Sequence, residues 1–295
     1  MIASVRAFLF AIGLALSLAA SSAAQMPPQT DPARGIPPAA FGGGEIAWLP
    51  REAARQQRML ASALDGLAAQ RPGVRDVYVL SVGLWSDPVF ANEASKAADI
   101  VRKRYKADGR VLVLANTEAR APLNVPAATP AHITAALGRI AARMDPTEDV
   151  LFLFLTSHGD KSGVAVYESG RMRGNLTPLA LRAALDDTGL RNRIVVISAC
   201  HGGVFVPALA APHTIVATAA SSEKTSFGCQ PENEWTYFGD ALFNQSMSRG
   251  RGLLQAFAEA KAYVSMWEQR DRLVPSEPQI AVGAEAGPIL AQIER

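Results

Sequence analysis

Val150-Leu151-Phe152-Leu153-Phe154-Leu155, followed at once by Thr156-Ser157-His158-Gly159-Asp160, decides how the chain folds. Six consecutive apolar residues have no polar face to turn to water. They suit a strand buried on both sides, as the central strands of parallel sheets are. The polar, small and glycine residues that follow mark its carboxyl end, where open α/β sheets gather their functional groups.

Similar units lie on either side. Upstream, Val77-Tyr78-Val79-Leu80-Ser81-Val82 and Val111-Leu112-Val113-Leu114 read as strands, and a helix is expected over Asn92 to Lys106 between them. Met59, Leu60, Leu64 and Leu67 form a helical stripe ahead of the first strand. Thr129-Pro130 and Thr177-Pro178 each look like an N-cap followed by a first helical residue, and Ile133, Leu137, Ile140 and Met144 continue the first of these helices. Ile194-Val195-Val196-Ile197 is the next strand, and His213 to Ala219 supplies one more. Strands alternating with helices predict an α/β fold, a mostly parallel central sheet with helices on both faces.

After the strand ending near Ile197 comes Ser198-Ala199-Cys200-His201-Gly202-Gly203. If that strand runs parallel to the one ending at Leu155, Cys200 and His158 emerge on the same edge. A thiol near its ordinary pKa of about 8.5 needs an adjacent base to become a good nucleophile, and the imidazole supplies one. The N–H groups of Gly159 and Cys200 are candidates for an oxyanion hole. His201 is the rival base, but neighbours on an extended segment point to opposite sides. A zinc site drawn from His158, Cys200, His201 and His213 lacks any CxxC or HExxH spacing, so no metal and no other cofactor is expected.

These motifs resemble those of the legumain-like cysteine peptidases, relatives of the caspases, and most of all the bacterial branch of that family. The resemblance rests on His158-Gly159 and Ala199-Cys200-His201-Gly202. It continues through Ala217-Thr218-Ala219-Ala220, Thr225-Ser226-Phe227-Gly228-Cys229 and Thr236-Tyr237-Phe238-Gly239-Asp240. It implies a caspase-like three-layer sandwich and a cysteine endopeptidase working through a thioester acyl-enzyme. The implied catalytic dyad is His158 and Cys200, with Gly159 in the oxyanion role. Asp240 falls where the family places an acid of the substrate pocket, and Ser198 where it places a glutamate, two residues before the nucleophile. An arginine that the family carries after its first strand is replaced by Asp87-Pro88-Val89-Phe90, so a pocket for asparagine is not expected to survive unchanged. Ser86 and Asp87 are the candidates for the family's third polar residue. Cys229 lies in a segment that also carries a cysteine in legumains; a disulfide with Cys200, the default for two cysteines in an oxidising compartment, stays open beside that reading. Transamidation, with an amine in place of water, and a non-catalytic envelope binding module are the alternative functions.

Composition bounds the rest. Hydrophobic residues at 49% and charged residues at 19% describe a packed globular chain rather than a disordered one. A net charge of +2 with no basic block argues against nucleic acid and anionic membrane surfaces as partners, and the resemblance implies a peptide or protein substrate. Arg6, the apolar run Ala7 to Ala20 and the small residues Ser22-Ala23-Ala24 make residues 1–24 a signal peptide, too short for a comfortable membrane span. A periplasmic or secreted protein with no integral span after cleavage follows. Residues 25–50, with six prolines and Gly42-Gly43-Gly44, read as a linker or arm, leaving 51–295 as one peptidase domain.

Overall fold

The computed structural model describes residues 48–117, 124–169 and 171–295. The signal-peptide reading of 1–24 and nearly all of the linker reading of 25–50 lie outside them. In chain order the elements begin with helix α1 (Pro50–Asp65), strand β1 (Val77–Gly83), α2 (Pro88–Arg104), β2 (Val111–Ala115) and α3 (Pro130–Ala141). Then come β3 (Val150–Thr156), a small antiparallel set of β4 (Gly159–Asp160), β5 (Gly163–Glu168) and β6 (Met172–Leu176), α4 (Pro178–Asp187) and β7 (Asn192–Ser198). A short α5 (Phe205–Leu209), β8 (Thr214–Thr218), a turn of helix α6 (Tyr237–Gly239) running into wider turns through Arg249, α7 (Leu253–Arg270), β9 (Gln279–Val282) and α8 (Ala286–Ile293) complete the chain.

The main sheet has the order β2-β1-β3-β7-β8-β9. Its first five strands are parallel and β9 closes the edge antiparallel to β8. The apolar runs explain this placing, because β1 and β3 are buried along their whole length. Alternate residues of β3 feed two cores. Leu151, Leu153 and Leu155 pack with Ile133 and Leu137 of α3, Leu181 of α4 and Phe205 of α5. Val150, Phe152 and Phe154 pack with Ala97 and Val101 of α2, Phe257 and Val264 of α7, and Leu290 of α8. Helices therefore cover both faces, the three-layer α/β sandwich the motifs implied.

Local signals held at the helix starts. Thr129 Oγ1 accepts the His132 N–H at 3.0 Å and Thr177 Oγ1 accepts the Ala180 N–H at 3.2 Å, each ahead of a proline in the first turn. The helix expected from Asn92 begins earlier, at Pro88, because proline preset for the first turn follows an extended Asp87. The β4–β6 set, α7 and β9 were not anticipated. Among the described residues no helix is long and apolar enough to cross a membrane.

Candidate active site

The register of β3 against β7 brings the site together. Thr156 pairs with Ser198 at the carboxyl ends of the two strands. His158 stands two residues beyond Thr156 and Cys200 two residues beyond Ser198, so both follow the same edge at the same level. The Ser157 N–H donates to the Ser198 carbonyl at 3.1 Å, carrying the pairing past the strand ends. A Cβ on Gly159 would stand 2.5 Å from the Cys200 carbonyl oxygen, so only glycine allows this approach.

Three further elements frame His158. Beyond β1, the Leu84 N–H donates to the Thr156 carbonyl at 3.0 Å and the Tyr167 N–H donates to the Leu84 carbonyl at 2.8 Å. This carries Trp85, Ser86 and Asp87 across the end of β3. The imidazole is buried between Trp85 and Phe90, each edge-on with ring centres 5.0 Å away. Its Nε2 lies 3.6 Å from Asp87 Oδ2, an ion-pair distance rather than a hydrogen bond. Asp87 occupies the N-cap position of α2, yet its side chain makes no capping bond and is available to the imidazole. Of the two candidates for a third polar residue, Asp87 is the one beside the histidine.

Cys200 is half-buried on the turn that follows β7. Its sulfur accepts the Ser226 N–H at 3.3 Å and has the Ser226 hydroxyl at 3.7 Å. The sulfur also lies 3.6 Å from the Ser226 carbonyl, to which a thiol can donate. Ser226 was quoted in the motif that carries the resemblance but had been given no role. Cys229, in the same motif, packs against the cluster of Trp85, Val89, Phe90 and Ala165 beside the imidazole.

The rival base is turned away, for a reason other than the one expected. Cys200-His201 is not extended, since β7 ends at Ser198 and His201 adopts a left-handed conformation with φ 56°. That bend sends its Nδ1 to the Ser222 carbonyl at 2.9 Å. His213 precedes β8, at the opposite end of the sheet, with Arg191 at 2.8 Å and Glu285 at 3.3 Å from its Nε2. Among the described residues no three His, Cys, Asp or Glu side chains form a metal cluster.

The substrate-binding candidates Ser198 and Asp240 meet through Thr236. Ser198 is buried, and its hydroxyl lies 2.9 Å from Thr236 Oγ1. Asp240, one helical turn after Thr236, lines a groove of about 390 Å³ together with Trp235, Thr236, Tyr237, Trp267 and Arg270. Its carboxylate accepts from Asn244 at 2.7 Å and Gln245 at 3.1 Å. The structure thus gathers His158, Gly159, Cys200 and Ser198 on one strand edge, and joins Asp240 to them at one remove.

Residues 132–287, more than half of the chain and including His158, Cys200 and Asp240, match the model of the peptidase C13 family. A search of the curated proteins returned no match. Among solved structures, caspase-1 from Spodoptera frugiperda is similar at a TM-score of 0.45 and 14% identity, over 73% of this chain and 94% of that one. With its strand-end histidine and cysteine in the family's order and inside the matched region, the chain belongs to the peptidase C13 family.

Proposed function

We propose that the protein is a cysteine endopeptidase in which His158 activates Cys200. The observation that supports this reading is the strand register, which pairs Thr156 with Ser198 two residues before His158 and Cys200, with the Gly159 backbone close against the Cys200 carbonyl. His158 takes the thiol proton, and the sulfur forms a bond to the carbonyl carbon of the scissile peptide. The tetrahedral oxyanion is held by the N–H groups of Gly159 and Cys200. As it collapses, the carbon–nitrogen bond breaks and His158 returns the proton to the leaving amine. Water then attacks the thioester, releasing the acid and restoring the thiol.

Asp87 holds the imidazole by Nε2 and offsets the positive charge that develops on it, which leaves Nδ1 for the proton transfer. The Ser226 N–H steadies the anionic sulfur between steps. Asp240 and its aromatic groove contribute to choosing the peptide, and Ser198 acts on that region through Thr236. The leader read in residues 1–24 places this activity outside the cytoplasm.

Incubating the protein with a peptide library, and weighing the products with and without an excess of a simple amine, tests the reading. Cleavage that disappears in Cys200→Ala and in His158→Ala supports it. Products carrying the added amine would identify a transamidase, and cleavage that survives Cys200→Ala would end the proposal.

A further inference from the structure

Glu93, on α2, is fully buried and takes no part in the chemistry above. Its Oε2 accepts the Thr156 hydroxyl. Its Oε1 accepts the Thr236 hydroxyl at 2.6 Å and the Thr236 N–H at 3.2 Å. Thr236 Oγ1 in turn lies 2.9 Å from the Ser198 hydroxyl and accepts the Gly239 N–H at 3.1 Å. One carboxyl therefore binds the end of β3 two residues before His158 and the turn that leads into Asp240, and through Thr236 it reaches the end of β7 two residues before Cys200. The turn is shaped around it, because a Cβ on Gly239 would collide with Oε1.

We propose that Glu93 is a positioning residue whose ionised carboxylate clamps the strand ends bearing His158 and Cys200 to the turn bearing Asp240. The hydrogen bonds accommodate the ionised form. A carboxylate accepts from Thr156 and Thr236 at once, and Thr236 Oγ1 is left to accept from Ser198 and Gly239, so every donor has an acceptor. Protonation turns one oxygen into a donor and forces at least one of these hydroxyls to reorient. Among the described residues no cation is paired with this carboxyl. The titratable groups on the surrounding elements include His158 beyond Thr156, Cys200 beyond Ser198, Tyr237 and Asp240 beyond Thr236, Asp87 at the N-cap of α2, and Lys96, Asp99, Arg102, Lys103 and Arg104 along α2 itself. Lys96 is engaged by Glu234 at 2.7 Å. Burial, opposed by the hydrogen bonds of Thr156, Thr236 and Ser198, pushes the carboxyl up to about 7, so the clamp changes state near neutral pH.

The inference rests on the proposed role of Cys200, and the test separates the two. The rate of iodoacetamide alkylation at Cys200, resolved from Cys229 by peptide mass, is followed from pH 5 to 9 in the full chain. Wild type is expected to carry a step near pH 7 that is absent from Glu93→Gln, whose rate at pH 8 falls about tenfold, the loss of one charge-assisted hydrogen bond. Glu93→Asp, which keeps the charge, is expected to retain a step. Ser198→Ala, which removes only the hydroxyl between β7 and Thr236, loses it and serves if Glu93→Gln does not fold. Profiles of the same shape in wild type, Glu93→Gln and Ser198→Ala, shifted by one factor at every pH, would overturn the inference. A rate at Cys200 unaffected by His158→Ala would instead overturn the catalytic reading.

Discussion

The two ends of the central sheet treat a buried acid in opposite ways. At the amino ends of the strands, Asp76 is 2% exposed and is met by charge. Arg71 Nη2 lies 2.6 Å away, Arg110 Nη2 lies 3.1 Å away, and the Arg71 N–H adds a bond at 2.8 Å. Asp149 beside it accepts the N–H groups of Asp76 and Asp145, each at 2.8 Å. At the carboxyl ends, Glu93 has only hydroxyls and one N–H around it. Two arginines meet the charge at Asp76, whereas the Glu93 carboxyl sits among hydroxyls and can change state. Asp76 is fastened by its arginines, although burial raises the carboxyl of its neighbour Asp149, and Glu93 is held by hydroxyls where His158 and Cys200 emerge.

The largest expected effects fall on opposite ends and on different observables. Cys200→Ala is expected to remove turnover by a factor of about 10⁴ or more while changing unfolding free energy by less than about 1 kcal/mol, since it deletes the nucleophile from a half-buried turn. Asp76→Asn is expected to lower stability by about 3 kcal/mol, because it strands the buried Arg110, and to leave alkylation of Cys200 unchanged. Paired denaturation and activity measurements would show whether the ends separate in this way.

The next effect belongs to Glu93. A carboxyl raised in the folded state from 4.5 to about 7 adds stability that is complete below pH 4.5 and is lost as pH rises through 7. The unfolding free energy of wild type, taken relative to Glu93→Gln, should therefore fall by about 3 kcal/mol across that window. A difference that stays flat with pH would remove the contrast between the two ends. The same ionisation that organises the site thus weakens the fold.

Smaller effects refine the carboxyl end. Asp87→Asn keeps shape and loses charge beside His158, and is expected to lower the acylation rate about tenfold without moving the melting temperature. His201→Ala is expected to change activity by less than about twofold, since its ring serves only the Ser222 carbonyl. A loss as large as that of His158→Ala would reassign the base.

Much of the fold was open to reading in the sequence, but the contrast between Asp76 and Glu93 was not. β3 and β7 announce themselves because they are apolar on both faces, and the residues after them are the candidates for the chemistry. The small sheet of β4 to β6 was missed because its short strands offer little run of their own and lean on the main core through Val164, Val166 and Leu176. The α7 stripe is diluted by Ala256 and Ala260, and β9 is a half-exposed edge with little pattern. Glu93 left a trace, a single acid on the helical stripe of Phe90, Ala94, Ala97 and Val101, but its partners Thr156 and Thr236 are brought to it only by the fold. Asp87 was one of two candidates, and only the path of the chain over β3 chooses between it and Ser86.

The central claim is that the imidazole at 158 governs the sulfur at 200. The most direct test is the second-order rate of iodoacetamide alkylation at Cys200, measured at pH 6 in wild type and in His158→Ala. At that pH an unassisted thiol is almost wholly protonated. A fall of at least about tenfold in the variant, with Cys229 unaffected, is the expected result. Equal rates at Cys200 in the two proteins would contradict it.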